Sequence, residues 1–294
     1  MAPPRTVGEA IRAATEQLGA QTDTARLDAE LLMAEALDCS RSDMFLRRMR
    51  DPEPAEYAAL VARRAAHEPV AYIRGYQEFF GLGFRVTPDV LIPRGDSEVL
   101  VEAALAARPE ARHVLDLGTG SGALLLAALS ELPGAQGLGI DRSVAALSVA
   151  TGNARALGLA ERAELRLGDW TLPGWDAGLR QFDLILANPP YIEDAADLAP
   201  SVRGYEPAQA LFAGSEGLDD YRILIPRLPA LLAPQGVALV EIGHRQAAAV
   251  TAIAAAAGLA ARLQHDLGER PRALELTISL GKAAISLGKA AGPA

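Results

Sequence analysis

Beyond Pro93 the chain alternates short apolar runs with helix-length stretches rich in alanine and leucine, and this alternation narrows its fold more than any other feature. The runs are His113–Leu117, Gly137–Ile140, Ala163–Leu167, Phe182–Ala187 and Val237–Ile242. Each is too short for a buried helix and suits a strand covered on both faces. Strands alternating with helices imply a parallel sheet with helices on both sides, an α/β fold. Half of the 294 residues are hydrophobic and only 5% are aromatic. Alanine, leucine and valine therefore dominate the apolar content, which fills such a core and excludes a disordered chain.

Ahead of this region the pattern is helical. Thr6 with Glu9 forms a capping-box signal, followed by Ile11, Ala14 and Leu18 at helical spacing. A second helix is expected from near Asp23, with Leu27, Leu31 and Ala34 on one face, and a third from Pro54, with Tyr57, Leu60 and Val61. These predict a small helical bundle over residues 1–72. Over 73–92 the strand formers Phe79, Phe80, Phe84 and Val86, punctuated by Gly81 and Gly83, predict a hairpin or extended connector. Residues 93–280 would form the α/β domain. The direct repeat Ile278–Ala284 and Ile285–Ala291 is too short for a solenoid, so 281–294 is expected to be a disordered tail.

The formal net charge is -9. Proteins that track a nucleic-acid backbone need a basic surface, so no direct nucleic-acid partner is expected. The one dense basic cluster, Arg47, Arg48 and Arg50, reads as a solvated helix end. A single cysteine, Cys39, excludes an internal disulfide, and His67, His113, His244 and His265 lack metal-ligand spacing, so no metal is expected. The opening Met1-Ala2-Pro3-Pro4-Arg5 has no signal-peptide core and no apolar run is long enough to span a bilayer. A cytoplasmic monomer without membrane contact is the expectation.

The first candidate site is Val114–Gly122, a strand running into a turn made of Gly118, Thr119, Gly120, Ser121 and Gly122, with a helix from near Ala123. Such glycines allow a tight turn and let a ligand approach at the carboxyl end of a strand. Asp141 ends the next strand, where a carboxylate can accept hydrogen bonds from both hydroxyls of a ribose, which points to an adenosine. Gly118, Gly120 and Ala123 also satisfy the dinucleotide fingerprint, so a nicotinamide cofactor stays open here. Asp116 favours a cationic methyl donor instead, because it would repel an anionic pyrophosphate.

The second candidate site is Asn188-Pro189-Pro190-Tyr191, which ends the fourth strand. Two prolines remove two backbone donors and fix φ, holding the carbonyls rigid. The Asn188 oxygen and the Pro189 carbonyl can accept both N–H bonds of a primary amide or aromatic amine, and Tyr191 can stack on the planar group. The pattern points to methyl transfer onto a flat nitrogen.

On these residues the chain resembles the N5-glutamine methyltransferase family that modifies peptide-chain release factors. The resemblance also runs through Pro69–Gly75, Glu78–Leu82, Val90–Arg94, Glu206-Pro207 and Gly268–Arg272. It implies a Rossmann-like, S-adenosylmethionine-dependent methyltransferase domain with a small N-terminal helical domain that helps recognise class I release factors. It further implies that Gly118 to Gly122, Asp141 and Trp170 hold S-adenosylmethionine and its product S-adenosylhomocysteine, with Trp170 against the adenine. Asn188, Pro189, Pro190 and Tyr191 would hold the glutamine of a Gly-Gly-Gln loop, with Asn188 close to the donor methyl and Asn188, Pro189 and Tyr191 serving catalysis. A sibling enzyme acting on a ribosomal-protein glutamine and an adenine-N6 DNA methyltransferase share the Asn-Pro-Pro-Tyr logic. One departure stands out: where the family shows proline after Pro93-Arg94, this chain has Gly95, followed by Asp96-Ser97-Glu98.

Overall fold

The structure, a computed structural model, describes residues 5–266 and 268–279, in two compact units. The expected tail at 281–294 lies outside the described residues. Among the described residues no helix is long and apolar enough to cross a membrane.

One unit runs through Glu78 and also takes in Gly83–Ile92 and Asp197–Ala208. Its longer helices are Val7–Leu18, Ala25–Ala36 and Tyr57–Ala65. The capping box at the first is present: the Thr6 Oγ1 accepts from the Glu9 N–H at 3.3 Å, and the Glu9 carboxylate accepts from the Thr6 N–H at 2.8 Å. Of the expected face of the second helix, Ala34 is buried and Leu31 partly buried, but Leu27 is turned outward. Leu27 is 40% exposed, whereas Ala25, Ala29, Leu32 and Met33 are buried. The cause is Asp28, which is buried in a 2.6 Å ion pair with Arg64 of the third helix. Its neighbour Glu30 is likewise turned in and paired with Arg26 and Arg41. Satisfying these carboxylates fixes the rotation of the helix, since a buried charge left unpaired costs about 3–5 kcal/mol. Segment Asp197–Ala208 joins this unit through Glu206, whose carboxylate accepts the Ile92 N–H at 3.2 Å, and Tyr205, whose hydroxyl donates to the Ala66 carbonyl at 2.6 Å.

A hairpin of β1 (Tyr76–Phe79) and β2 (Leu82–Arg85) occupies the expected connector. Its two-residue loop, Phe80-Gly81, has φ of 52° and 69°, the left-handed pair that such tight hairpins require.

The other unit holds a seven-stranded sheet. Its strands are β3 (His113–Leu117), β4 (Gln136–Asp141), β5 (Ala163–Leu167), β6 (Phe182–Ala187), β7 (Leu232–Glu241), β8 (Leu259–His265) and β9 (Pro271–Ile278). Their order is β5-β4-β3-β6-β7-β9-β8. All five apolar runs read from the sequence are strands, and β3 to β7 pair in parallel. The C-terminal pair differs from the expected all-parallel sheet, because β9 runs antiparallel to both β7 and β8. β8 and β9 escape an apolar-run search because β8 is largely exposed and β9 buries only Ala273, Leu274 and Leu276.

From β3 the chain steps outward through β4 to β5, then returns to place β6 on the other side of β3. Right-handed crossovers in opposite directions put their helices on opposite faces, and the reversal opens a crevice at the carboxyl ends of β3 and β6. Leu117 pairs with Ala187, so the two strands end level with each other.

Gly95 opens the short turn Gly95–Ser97 that leads into the helix Glu98–Ala107. A Cβ added there meets nothing within 4 Å, and Arg94 before it has ψ 138°, the extended conformation that a following proline prefers. We expect Gly95→Pro to stabilise the fold by about 0.4–1 kcal/mol through the unfolded chain. A thermal melt checks this, and a lowered midpoint would contradict it.

Candidate active site

At the tip of β3 the backbone turns on Gly118, Gly120 and Gly122, whose φ values are 77°, 54° and 84°. Side chains other than glycine rarely adopt this left-handed region. The Gly118 and Thr119 N–H groups donate to the Ile140 carbonyl at 2.8 and 3.0 Å, pinning the turn to the end of β4. The Ser121 carbonyl accepts from the buried Asn153 side chain at 2.8 Å. Thr119 faces inward and its hydroxyl donates to the Asp116 Oδ2 at 2.6 Å. Asp141, at the end of β4, accepts the Gly120 N–H at 2.8 Å on one oxygen and the Ser143 N–H at 2.9 Å on the other. Each carboxylate oxygen keeps a second lone pair, so Asp141 can hold the turn and still accept from a ligand.

Asp116 is 1% exposed, and its Oδ1 has no hydrogen-bond partner among the described residues. Burial pushes its carboxyl up to about 7, with the Thr119 hydroxyl pulling against the rise and Asp141 adding to it. A buried acid in this condition is satisfied by a nearby positive charge.

Trp170 lies beside the same turn. Its indole N–H donates to the Asp220 Oδ1 at 2.6 Å, and a Cβ added at Gly118 would come within 3.0 Å of its ring. Burial raises the Asp220 carboxyl above the usual carboxylate range, and the Trp170 hydrogen bond opposes that rise. The glycine at 118 is thus required twice, by its φ and by the indole against it.

Asn188, Pro189, Pro190 and Tyr191 follow β6 directly, one strand away from the glycine turn. Both prolines are buried, and Asn188 and Tyr191 are partly buried. Downstream the segment is tied by Ile192, whose N–H donates to the Leu211 carbonyl and whose carbonyl accepts from Ala213, each at 2.9 Å. The Tyr191 carbonyl accepts from the Gln246 amide at 3.0 Å, and its hydroxyl donates to the Glu241 Oε1 at 3.3 Å. Every residue singled out in the sequence therefore lies at the carboxyl ends of β3, β4 and β6 or on the loop after β5.

Three residues here escaped the sequence reading. Asp220 and Gln246 sit in helical contexts with no local sign of their partners. Glu241 did carry a signal, since it is a lone carboxylate inside the apolar run Val237–Ile242.

Comparison with known proteins places the chain in a family. A model described as the PrmC N-terminal domain matches residues 9–75, and one described as a methyltransferase domain matches residues 110–253. A methyltransferase structure from Pyrococcus furiosus, 16% identical, covers 68% of this chain and 91% of its own with a TM-score of 0.50, a likeness of fold alone. The release factor glutamine methyltransferase of Cereibacter sphaeroides is 48% identical over 272 residues, covering 90% of this chain and 95% of that one. That of Caulobacter vibrioides is 42% identical over 276 residues, covering 91% and 94%. With such identity along nearly the full length of both partners, the chain belongs to the release factor glutamine methyltransferase family, with a Rossmann-like methyltransferase domain and a small N-terminal helical domain.

Proposed function

We propose that this protein transfers a methyl group from S-adenosylmethionine to the side-chain nitrogen of the glutamine in the Gly-Gly-Gln loop of class I release factors. The observation that carries this reading is the level pairing of β3 and β6, which sets a glycine turn beside a proline-stiffened turn. The helical unit is assigned to release-factor recognition.

The residues at the β3 end suit the donor. Gly120, where an added Cβ would meet nothing nearer than 4.0 Å, leaves backbone open to a ligand, Asp141 retains acceptor capacity for ribose hydroxyls, and the unpartnered Asp116 oxygen suits a cation. Gly118 to Gly122, Asp141 and Trp170 would hold the molecule, with Asn188 near its methyl. Bound there, S-adenosylmethionine supplies an electrophilic methyl carbon and departs as S-adenosylhomocysteine.

The protein's own task is to make a poor nucleophile competent. An amide nitrogen shares its lone pair with the adjacent carbonyl. The Asn188 side-chain oxygen and the Pro189 carbonyl are without hydrogen-bond partners among the described residues, and they accept the two N–H bonds of the glutamine. Acceptors on both hydrogens draw the nitrogen toward a tetrahedral arrangement, and the Tyr191 ring holds the amide plane. Positioning of this kind supplies much of the barrier reduction. No side chain at the turn is basic enough to ionise an amide, so the proton leaves after the new N–C bond forms.

Labelled S-adenosylmethionine offered with a release factor, a ribosomal protein or DNA discriminates the substrate classes. Label entering the release factor supports the assignment, and label entering only DNA or the ribosomal protein overturns it. Asn188→Ala should lower transfer by about 10²–10³-fold, as loss of a single positioned polar contact in a site does. Its donor affinity, read by calorimetry, should stay within about twofold.

A pH dependence follows from Asp116. Its folded carboxyl titrates near 7, so it is charged above that pH and neutral below it. Donor affinity should therefore weaken as pH falls from about 8 to 6. Asp116→Asn should bind more weakly at pH 8 and lose this dependence. An unchanged pH profile in the variant would remove Asp116 from the donor site.

A further inference from the structure

Behind the acceptor turn lies a set of buried polar groups to which methyl transfer, as derived above, gives no task. Glu241 is the last residue of β7, and Val240 before it pairs with Ala187 of β6, so Glu241 stands next to the start of Asn188–Tyr191. It is 2% exposed. Its Oε1 accepts from the Tyr191 hydroxyl, and its Oε2 has no partner among the described residues. The Ser97 Oγ and the Arg272 Nε are buried beside it. A buried carboxylate with one idle oxygen costs stability, so packing does not account for it.

Tyr191 is held from its other side as well. The Gln246 amide donates to both the Tyr191 and the Gly217 carbonyls, at 3.0 and 3.1 Å. Gly217 has φ 65°, and a Cβ there would run into the Tyr191 carbonyl oxygen. A Cβ at Gly243 would lie 3.4 Å from the Tyr191 ring. The backbone of Tyr191 is thus fixed by Gln246 and Gly217, and the far end of its side chain is fixed by Glu241.

We infer that Glu241 is a positioning residue for the acceptor glutamine, holding the Tyr191 hydroxyl and with it the orientation of the Asn188–Tyr191 turn. This rests on the reading of that turn as the acceptor site. The groups facing Glu241 are Arg272 from β9, Asp96 and Ser97 from the turn before the helix Glu98–Ala107, Tyr191 itself, and Tyr221, whose hydroxyl donates to the Glu241 carbonyl at 2.9 Å. Arg272 is itself committed to Asp96 at 2.7 Å and Asp266 at 3.1 Å. Burial pushes the Glu241 carboxyl up to about 7, while Ser97, Arg272 and Tyr191 draw it down and Asp96 adds to the rise. The carboxylate that grips Tyr191 therefore forms as pH rises through neutrality, and the protonated acid below that is a weaker acceptor.

The test is kcat/KM for a release-factor acceptor between pH 6 and 9, at saturating donor so that Asp116 does not contribute through donor affinity. Wild type should lose activity below about pH 7. Glu241→Gln offers the Tyr191 hydroxyl only a neutral acceptor, as the protonated acid does, so it should hold the wild-type low-pH level across the whole range, without the acidic limb. Glu241→Ala should lose about 30-fold in kcat/KM while donor affinity holds. A wild-type acidic limb in Glu241→Gln overturns the inference, and that variant decides the matter if Glu241→Ala does not fold. Asn188→Ala in the same series separates the two readings. Full turnover there sinks the acceptor site itself, whereas its loss beside wild-type behaviour of both Glu241 variants sinks only the role of Glu241.

Discussion

The parallel hydrogen bonding of β3 to β6 is the constraint on which the chemistry depends. These strands are distant in sequence and become neighbours because the chain builds outward through β4 and β5 before returning. Their pairing ends with Leu117 against Ala187, so the next residues of each, Gly118 and Asn188, leave the sheet at one level. One turn is made of glycines and offers open backbone; the other is made of prolines and offers fixed carbonyls. On the proposed reading, neither turn alone would bring a methyl donor and a nitrogen acceptor together.

The parts that were legible in the sequence are those whose cause is local. Four buried strands show as apolar runs because both of their faces are covered, whereas the edge strand β5, with no buried residue, shows only as Ala163, Leu165 and Leu167 alternating with Glu164 and Arg166. The first helix start shows because Thr6 and Glu9 satisfy each other's backbone. The two candidate turns show because glycine and proline act on their own φ. What the sequence hid depends on distant partners. Leu27 faces outward because Asp28 meets Arg64, 36 residues away. β8 and β9 form an antiparallel edge whose exposed positions blur the hydrophobic pattern. Asp220 reaches Trp170 across 50 residues, and Gln246 reaches Tyr191 across 55.

Buried acids mark both halves of the site. Asp116 under the glycine turn and Glu241 behind the proline turn each have an oxygen without a partner among the described residues, and burial raises both carboxyls to about 7. Their surroundings nevertheless assign them different work. Asp116 lies within β3 just before the glycine turn, where on the proposed reading a cationic donor would balance it. Glu241 is bound to a tyrosine hydroxyl and backed by an arginine, and on the inference drawn above it orients a neighbouring group.

The most direct test of the central claim is a crystal structure of the protein with S-adenosylhomocysteine and a peptide containing Gly-Gly-Gln. The account predicts the product sulfur over the glycine turn and the glutamine nitrogen over Asn188 and Pro189. The two should face each other across the β3–β6 seam with room for a methyl group between them. A glutamine bound away from that seam, or a sulfur directed elsewhere than toward Asn188, would contradict it.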